Sequence, residues 1–191
     1  MADIVLTGNT SGAITVAAPA VAGTNTLTLP AETGTLATTA TAGKILQIVN
    51  SQDGSHATGT TTVPIDNTIM QNTEGDQYLS LAITPTSATN KLRIEVQALL
   101  ASNALVFITG SIFQDSTANA LATSLVMQTS AVNQPRLLVC THTMTAGTTS
   151  ATTFKFRAGG QIANTTSFNG TSSGTWGGVG ASSITITEYA T

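Results

Sequence analysis

Two histidines, one cysteine and a short acidic segment are the residues with which this chain could do chemistry. A hydrolytic triad needs a nucleophile, a histidine base and an orienting acid brought together in space. Cys140 and His142 stand two apart, so on a strand both project to one face. They would supply half of a metal site, but no second Cys or His pair completes it. The pair therefore reads as a small buried thiol beside a strand histidine. His56 lies in the polar turn DGSHATG and reads as a solvated loop residue. Glu74 and Asp76 share the segment NTEGDQ, whereas glycosidase carboxylates flank a sugar from two sides. With no aromatic nearby except Tyr78, they read as loop solvation, with a weak calcium or carbohydrate contact as the sharper alternative. Asp53–Gly54 is turn chemistry.

Two glycine-bearing segments invite a nucleotide reading and fail it. ATAGKI ends in Gly43–Lys44, but the phosphate-loop pattern requires a glycine where Thr38 stands and a hydroxyl residue where Ile45 stands. GTSSGTWGGVG is followed by no helix whose N-terminus could hold a phosphate. It carries the one tryptophan, Trp176, which either plugs the end of the fold or stands out as a contact for a partner. The sequons at Asn9, Asn164 and Asn169 carry little meaning without a secretory route. No catalytic, cofactor-binding or metal-ligating residue is assigned, and an enzyme is not expected.

The elements that position these residues follow from composition and period. The chain has 191 residues, 41% hydrophobic and 8% charged, with 6 Lys+Arg against 9 Asp+Glu. The isoelectric point is near 5.1 and the mean hydropathy +0.22. A basic nucleic-acid binder is excluded, because nothing here neutralises a run of phosphates. Charge-driven disorder is excluded as well. Roughly a fifth of the residues are Thr, a β-branched type that favours strands. The single cysteine rules out a disulfide framework. The start MADIVLTGNTSG is not a signal peptide, and no window reaches the roughly 18 apolar residues of a membrane span. Synthesis in a cytoplasm is expected. So neutral a surface points to an assembly that covers much of it.

Residues 1–43 read as an arm: short strands at Ile4–Thr7, Ala13–Ala17 and Thr26–Leu29, then a patternless small-residue stretch. These strands hold no aromatic residue and cannot make a core alone. Their apolar positions Ile4, Leu6, Ile14, Val16, Leu27 and Leu29 are the expected arm contacts. Residues 44–191 read as a head domain. Strands are expected at Ile45–Val49 (ended by NSQDGS), Tyr78–Thr84, KLRIEV, Ala104–Gln114, Leu121–Gln128, Arg136–Met144, Ala151–Ala158 and Ser183–Tyr189, with a loop from Asn164 to Ser173. In KLRIEV, Leu92, Ile94 and Val96 point one way and Lys91, Arg93 and Glu95 the other; Leu79, Leu81 and Ile83 likewise oppose Tyr78, Ser80 and Ala82, and Phe154 and Phe156 oppose Lys155 and Arg157. The fold expected is all-β: an antiparallel β-sandwich of jelly-roll type with an extended N-terminal β arm.

The string GNTSGAITVAAPAVAGTNTLTLPAETGTLA resembles an N-terminal module of tail fibres and other virion surface proteins of tailed phages. AGKILQIV and SLAITPTSATNKLRIEV are similar to the domain that follows it there, and the closing SSITITEY is weakly so. The resemblance covers Ile4–Thr39 and Gly43–Val96. It implies a homotrimeric sandwich or jelly-roll head without catalysis or cofactor. The chain has no heptads, no G-X-Y run and one copy of the arm motif, so it lacks a fibre shaft. The expected role is a capsid decoration (cement) protein on the virion outer surface, partnered with itself and the major capsid protein. The alternative is a short tail appendage or receptor-binding tip that contacts host surface carbohydrate. Neither nucleic acid nor membrane insertion is expected.

Overall fold

The computed structural model describes residues 4–7, 13–16, 44–128 and 131–191. Backbone contacts divide the chain into two units, Met1–Thr39 and Ala40–Thr191. In the first, β1 (Ile4–Thr7) pairs antiparallel with β2 (Ala13–Val16), placing Ile4 opposite Val16 and Leu6 opposite Ile14. The expected strand Thr26–Leu29, with Leu27 and Leu29, lies outside the described residues.

The second unit is built from strands whose period-two patterning decides which face is buried. In chain order these are β3 (Ile45–Asp53), β4 (Ala57–Gly59), β5 (Asp76–Ile83), β6 (Lys91–Ser102), β7 (Phe107–Gln114), β8 (Ala122–Met127) and β9 (Arg136–Thr145). Then follow β10 (Thr152–Gly160), β11 (Thr166–Phe168), β12 (Gly170–Thr171), β13 (Gly174–Thr175) and β14 (Ser182–Tyr189). Four antiparallel pairs nest like the layers of one long hairpin: β7 with β8, β6 with β9, β5 with β10, and β3 with β14. Successive pairs fall on alternate sheets, giving one layer in the order β5-β10-β7-β8 and another in the order β3-β14-β6-β9. β11 and β4 extend the second layer beyond β14, along the last residues of β6. Among the described residues the unit is all-β and every strand pairing is antiparallel. That architecture is consistent with the expected sandwich.

One apolar cluster fills the space between the layers. Leu92, Ile94 and Val96 of β6 meet Ile184 and Ile186 of β14 on one side, and Phe154 and Phe156 of β10 on the other, all fully buried. Each such side chain contributes about 1.5–3 kcal/mol of hydrophobic stabilisation. Gly110 of β7 is small by necessity, because a Cβ there would meet the Phe156 ring at 2.5 Å. A second, small cluster of Val63, Met70 and Phe113 lies where the β4–β5 connection crosses the outer face of β7.

The strand faces expected for KLRIEV, for Leu79 and Ile83, and for Phe154 and Phe156 agree with the burial seen. Four local expectations are corrected. NSQD continues β3 rather than ending it, because β14 pairs with it as far as Asp53 opposite Ser182. The strand expected from Ala104 begins at Phe107; β6 runs on to Ser102, and Asn103 turns the chain by accepting Thr165 N–H on its Oδ1 at 2.8 Å. The loop expected over Asn164–Ser173 contains β11 and β12, with Phe168 buried and stacked on Tyr78 at 4.9 Å. The polar turn around His56 leads into β4, which β11 holds in place. Short polar segments gain strand character from their neighbours, a context effect that composition does not carry.

If the inner face of β6 carries the head, Ile94→Ala should lower its unfolding free energy by about 2–5 kcal/mol. Thr143→Ala, on the exposed face of β9, should stay within about 0.5 kcal/mol. Urea denaturation followed by circular dichroism reads both, and equal effects would show that the buried face is misassigned.

Candidate functional site

The candidate chemical residues are held in structural roles by their local hydrogen bonds. Asp76 begins β5, and its carboxylate accepts Thr61 N–H and Thr61 Oγ1–H, both at 2.9 Å. Glu74 Oε2 accepts Gln71 N–H at 2.7 Å, closing a tight turn. The two acids therefore pin a loop and do not face each other across a cleft. His56 is half-buried, not solvated as expected, and its Nε2 donates to the Thr171 carbonyl at 2.8 Å. Cys140 is buried in the core, and burial pushes its thiol up to about 11. His142, half-buried two residues on, is held below the ordinary imidazole value by burial. Among the described residues, no group of three or more His, Cys, Asp or Glu could hold a metal ion.

Trp176 does not plug the sandwich: it is 57% exposed, on a single 3-10 turn, Trp176–Gly178, with Val179 exposed after it. Hydrogen bonds anchor the turn. Asn169, fully buried and in the left-handed region at φ 59°, donates through Nδ2 to Asp53 O at 2.7 Å and Ser55 O at 3.0 Å. Its Oδ1 accepts from Ser182 Oγ at 2.6 Å, and its carbonyl accepts Trp176 N–H at 3.1 Å. Asn tolerates a positive φ better than most residues. A scaffold of buried amides thus presents an indole to solvent at the Asp53 end of β3, away from Lys44, where that strand begins.

The chain's best-built polar centre was not expected. Glu188, fully buried on β14, accepts hydrogen bonds from Gln47 Nε2 at 2.5 Å, Asn90 Nδ2 at 2.5 Å, and Thr86 N and Oγ1 at 2.8 Å each. Burial alone would raise this carboxyl, but the bonds from Asn90, Gln47 and Thr86 outweigh it and hold the pKa down at about 2. A sequence signal for it existed. Ile184 and Ile186 face the core, and the same alternation carries Glu188 onto that face. A charge at an inward position needs partners, and TPTSATN and Gln47 supply them. These donors come from the segments GKILQIV and TPTSATN, and the acceptor from SSITITEY, so the resembling strings of the second unit meet at one carboxylate.

The surface holds one further feature. The β4–β5 connection and the outer face of β7 and β8 enclose an open groove of about 450 Å³. Ile65, Ile69 and Leu125 line it and are each more than half exposed; Asp66 and Glu74 are its charged residues.

No family model matches the chain, and no curated protein does. Among solved structures, one titled "Structure of infectious bursal disease virus Gx strain" is similar over 97% of this chain at 12% identity and a TM-score of 0.36. The match covers 45% of that longer chain. A likeness this slight carries neither fold nor function from one protein to the other.

The Glu188 centre makes stability pH-dependent in a defined direction. Its folded pKa is near 2 against an ordinary 4.5, so its contribution is complete above about pH 4.5 and is lost as pH falls toward 2. Because half-buried His142 is also held below its ordinary value of 6.5, urea midpoints should begin to decline below about pH 6.5, and Glu188 should add a further fall below about pH 4.5. Glu188→Gln, which turns an amide N–H toward existing donors, should cost about 2–4 kcal/mol at pH 7 and flatten the acid-side fall. A variant as stable as the wild type would contradict the assignment.

Proposed function

We propose that this chain is a non-enzymatic structural protein of a tailed-phage virion, a trimeric decoration protein that reinforces the outer head surface. The observation that carries this reading is the meeting of the resembling segments at Glu188. The strings AGKILQIV, SLAITPTSATNKLRIEV and SSITITEY, which resemble the domain that follows the N-terminal module in phage virion surface proteins, are joined by hydrogen bonds within the second unit. The nested pairing of β3 with β14, β5 with β10, β6 with β9 and β7 with β8 supports a jelly-roll head, a double-sheet architecture used in viral capsids. Structural use of Glu74 and Asp76 supports a role without catalysis.

In this reading residues 1–43 are the anchoring arm, and Ile4, Leu6, Ile14, Val16, Leu27 and Leu29 are its contacts. A two-stranded hairpin on its own is marginal in water, so if β1–β2 is the arm's pairing element, the capsid lattice or a neighbouring copy would complete it. A closed three-fold also hides sheet edges that would otherwise invite aggregation. The partners are further copies and the major capsid protein, and the location is the virion exterior.

The receptor-binding alternative draws on one observation, the exposed Trp176 on a turn anchored through Asn169, since tryptophan is enriched where partners bind. There the Trp176 end would contact host surface carbohydrate.

Loss of the protein separates the two roles. For a decoration protein, particles lacking it should burst at a lower temperature than wild type while adsorbing to cells normally. Normal heat resistance with lost adsorption would move the function to the receptor-binding reading. A chain lacking residues 1–30 should fold into a head that no longer binds capsids, and capsid binding by that truncation would contradict the arm's role.

A further inference from the structure

The first half of β3 has its polarity reversed. Gln47 turns inward to Glu188, and Ile45, Leu46 and Ile48 face solvent, Ile48 at 58% exposure. Lys44, exposed and in no ion pair among the described residues, stands at the head of this segment. Among the described residues β3 is an edge strand, paired with β14 on one side and with no strand on the other, where its backbone groups are free to pair. The result is an apolar strand edge with a positive charge at its start.

The groove beside β8 has the complementary character. Its apolar wall is Ile65, Ile69 and Leu125, and its charged residues are both acidic, Asp66 and Glu74, with no basic residue among those that line it. Arg157, the nearby cation, is turned to the backbone carbonyls of Glu74 and Gly75. The ion pair found among the described residues, Arg93 with Glu95, involves neither acid.

The two surfaces lie on opposite flanks of the unit. β3 is the edge of its layer beside β5, whereas β8 is the edge of the other layer beside β9. A surface on one flank that fits a different surface on the other flank makes a head-to-tail contact, which closes into a ring when the rotation permits. The basic-apolar segment Arg136–Val139 cannot serve as the donor, because it lies on the groove's own flank. Residues 1–43 contain no Lys or Arg, so the arm lacks the charge the groove calls for.

We infer that the groove receives the Lys44–Ile48 edge of a second copy of this chain, with Lys44 against Asp66 and Glu74 and Ile48 against the Leu125 wall. Apolar burial supplies the attraction, and the charges set register, since exposed ion pairs add little by themselves. The inference rests on the homotrimeric reading above and gives it a specific interface.

Zero-length carbodiimide cross-linking of the full chain tests it, with light and heavy isotope-labelled copies mixed so that bonds between copies can be recognised. The expected product joins Lys44 of one copy to Asp66 or Glu74 of another. It reads the head contact whether or not residues 1–43 also hold copies together. Ile48→Asp and Leu125→Asp, both at exposed positions, should each suppress that product at least tenfold while leaving the melting of the head unchanged. A trimer by sedimentation that yields no such product overturns this interface and leaves the trimer standing. A chain that sediments as a monomer at every concentration overturns both.

Discussion

The head depends on one buried negative charge satisfied without a cation. Taking a carboxylate out of water is costly unless hydrogen bonds replace its hydration. Around Glu188 the replacement is complete: two side-chain amides, a hydroxyl and a backbone N–H converge on it. These donors are far apart in sequence, on β3 and on the turn that leads into β6. The carboxylate can be buried only if β14, β3 and that turn adopt a single mutual arrangement. Hydrophobic burial is non-directional; the Glu188 centre adds the direction.

Its consequences extend outward. With Gln47 committed to Glu188, the two-residue period of β3 sends Ile48 to the outside. An outward isoleucine on an edge strand is a liability in a monomer, and so is the open apolar groove beside β8. The same register that secures the interior thus creates a surface suited to association. Buried Asn169 plays a comparable part at the far end of β3, fixing the turn that holds Trp176 in solvent.

Much of this architecture was legible in the sequence. Alternation in KLRIEV, SLAI and FKF identified the inner faces of three long strands, and the scarcity of charge and abundance of Thr pointed to sheets. Ends and short strands were not legible. NSQD looks like a turn but is paired to β14, and TSF looks like loop yet lies between β6 and β4 with Phe168 on Tyr78. Those segments acquire structure from tertiary neighbours, and their local composition opposes it. The candidate chemical residues were placed with the same mixed success. Cys140 is buried as its strand period implied, while His56 is drawn to Thr171 by a pairing that no local pattern announces. Glu188 was visible in principle, as a charge on the apolar side of an alternating strand. Its meaning depended on partners about a hundred residues away in the chain.

The proposed role, a non-catalytic one on a virion, would account together for the sparse charge, the sheet edges in need of cover and the phage-like strings of the second unit that meet at Glu188. The most direct test is copy number, measured by quantitative mass spectrometry of purified virions against the major capsid protein. A decoration protein should appear at parity or at a simple fraction such as a third, as lattice symmetry requires. A ratio of a few per cent, or absence from the particle, would contradict the account.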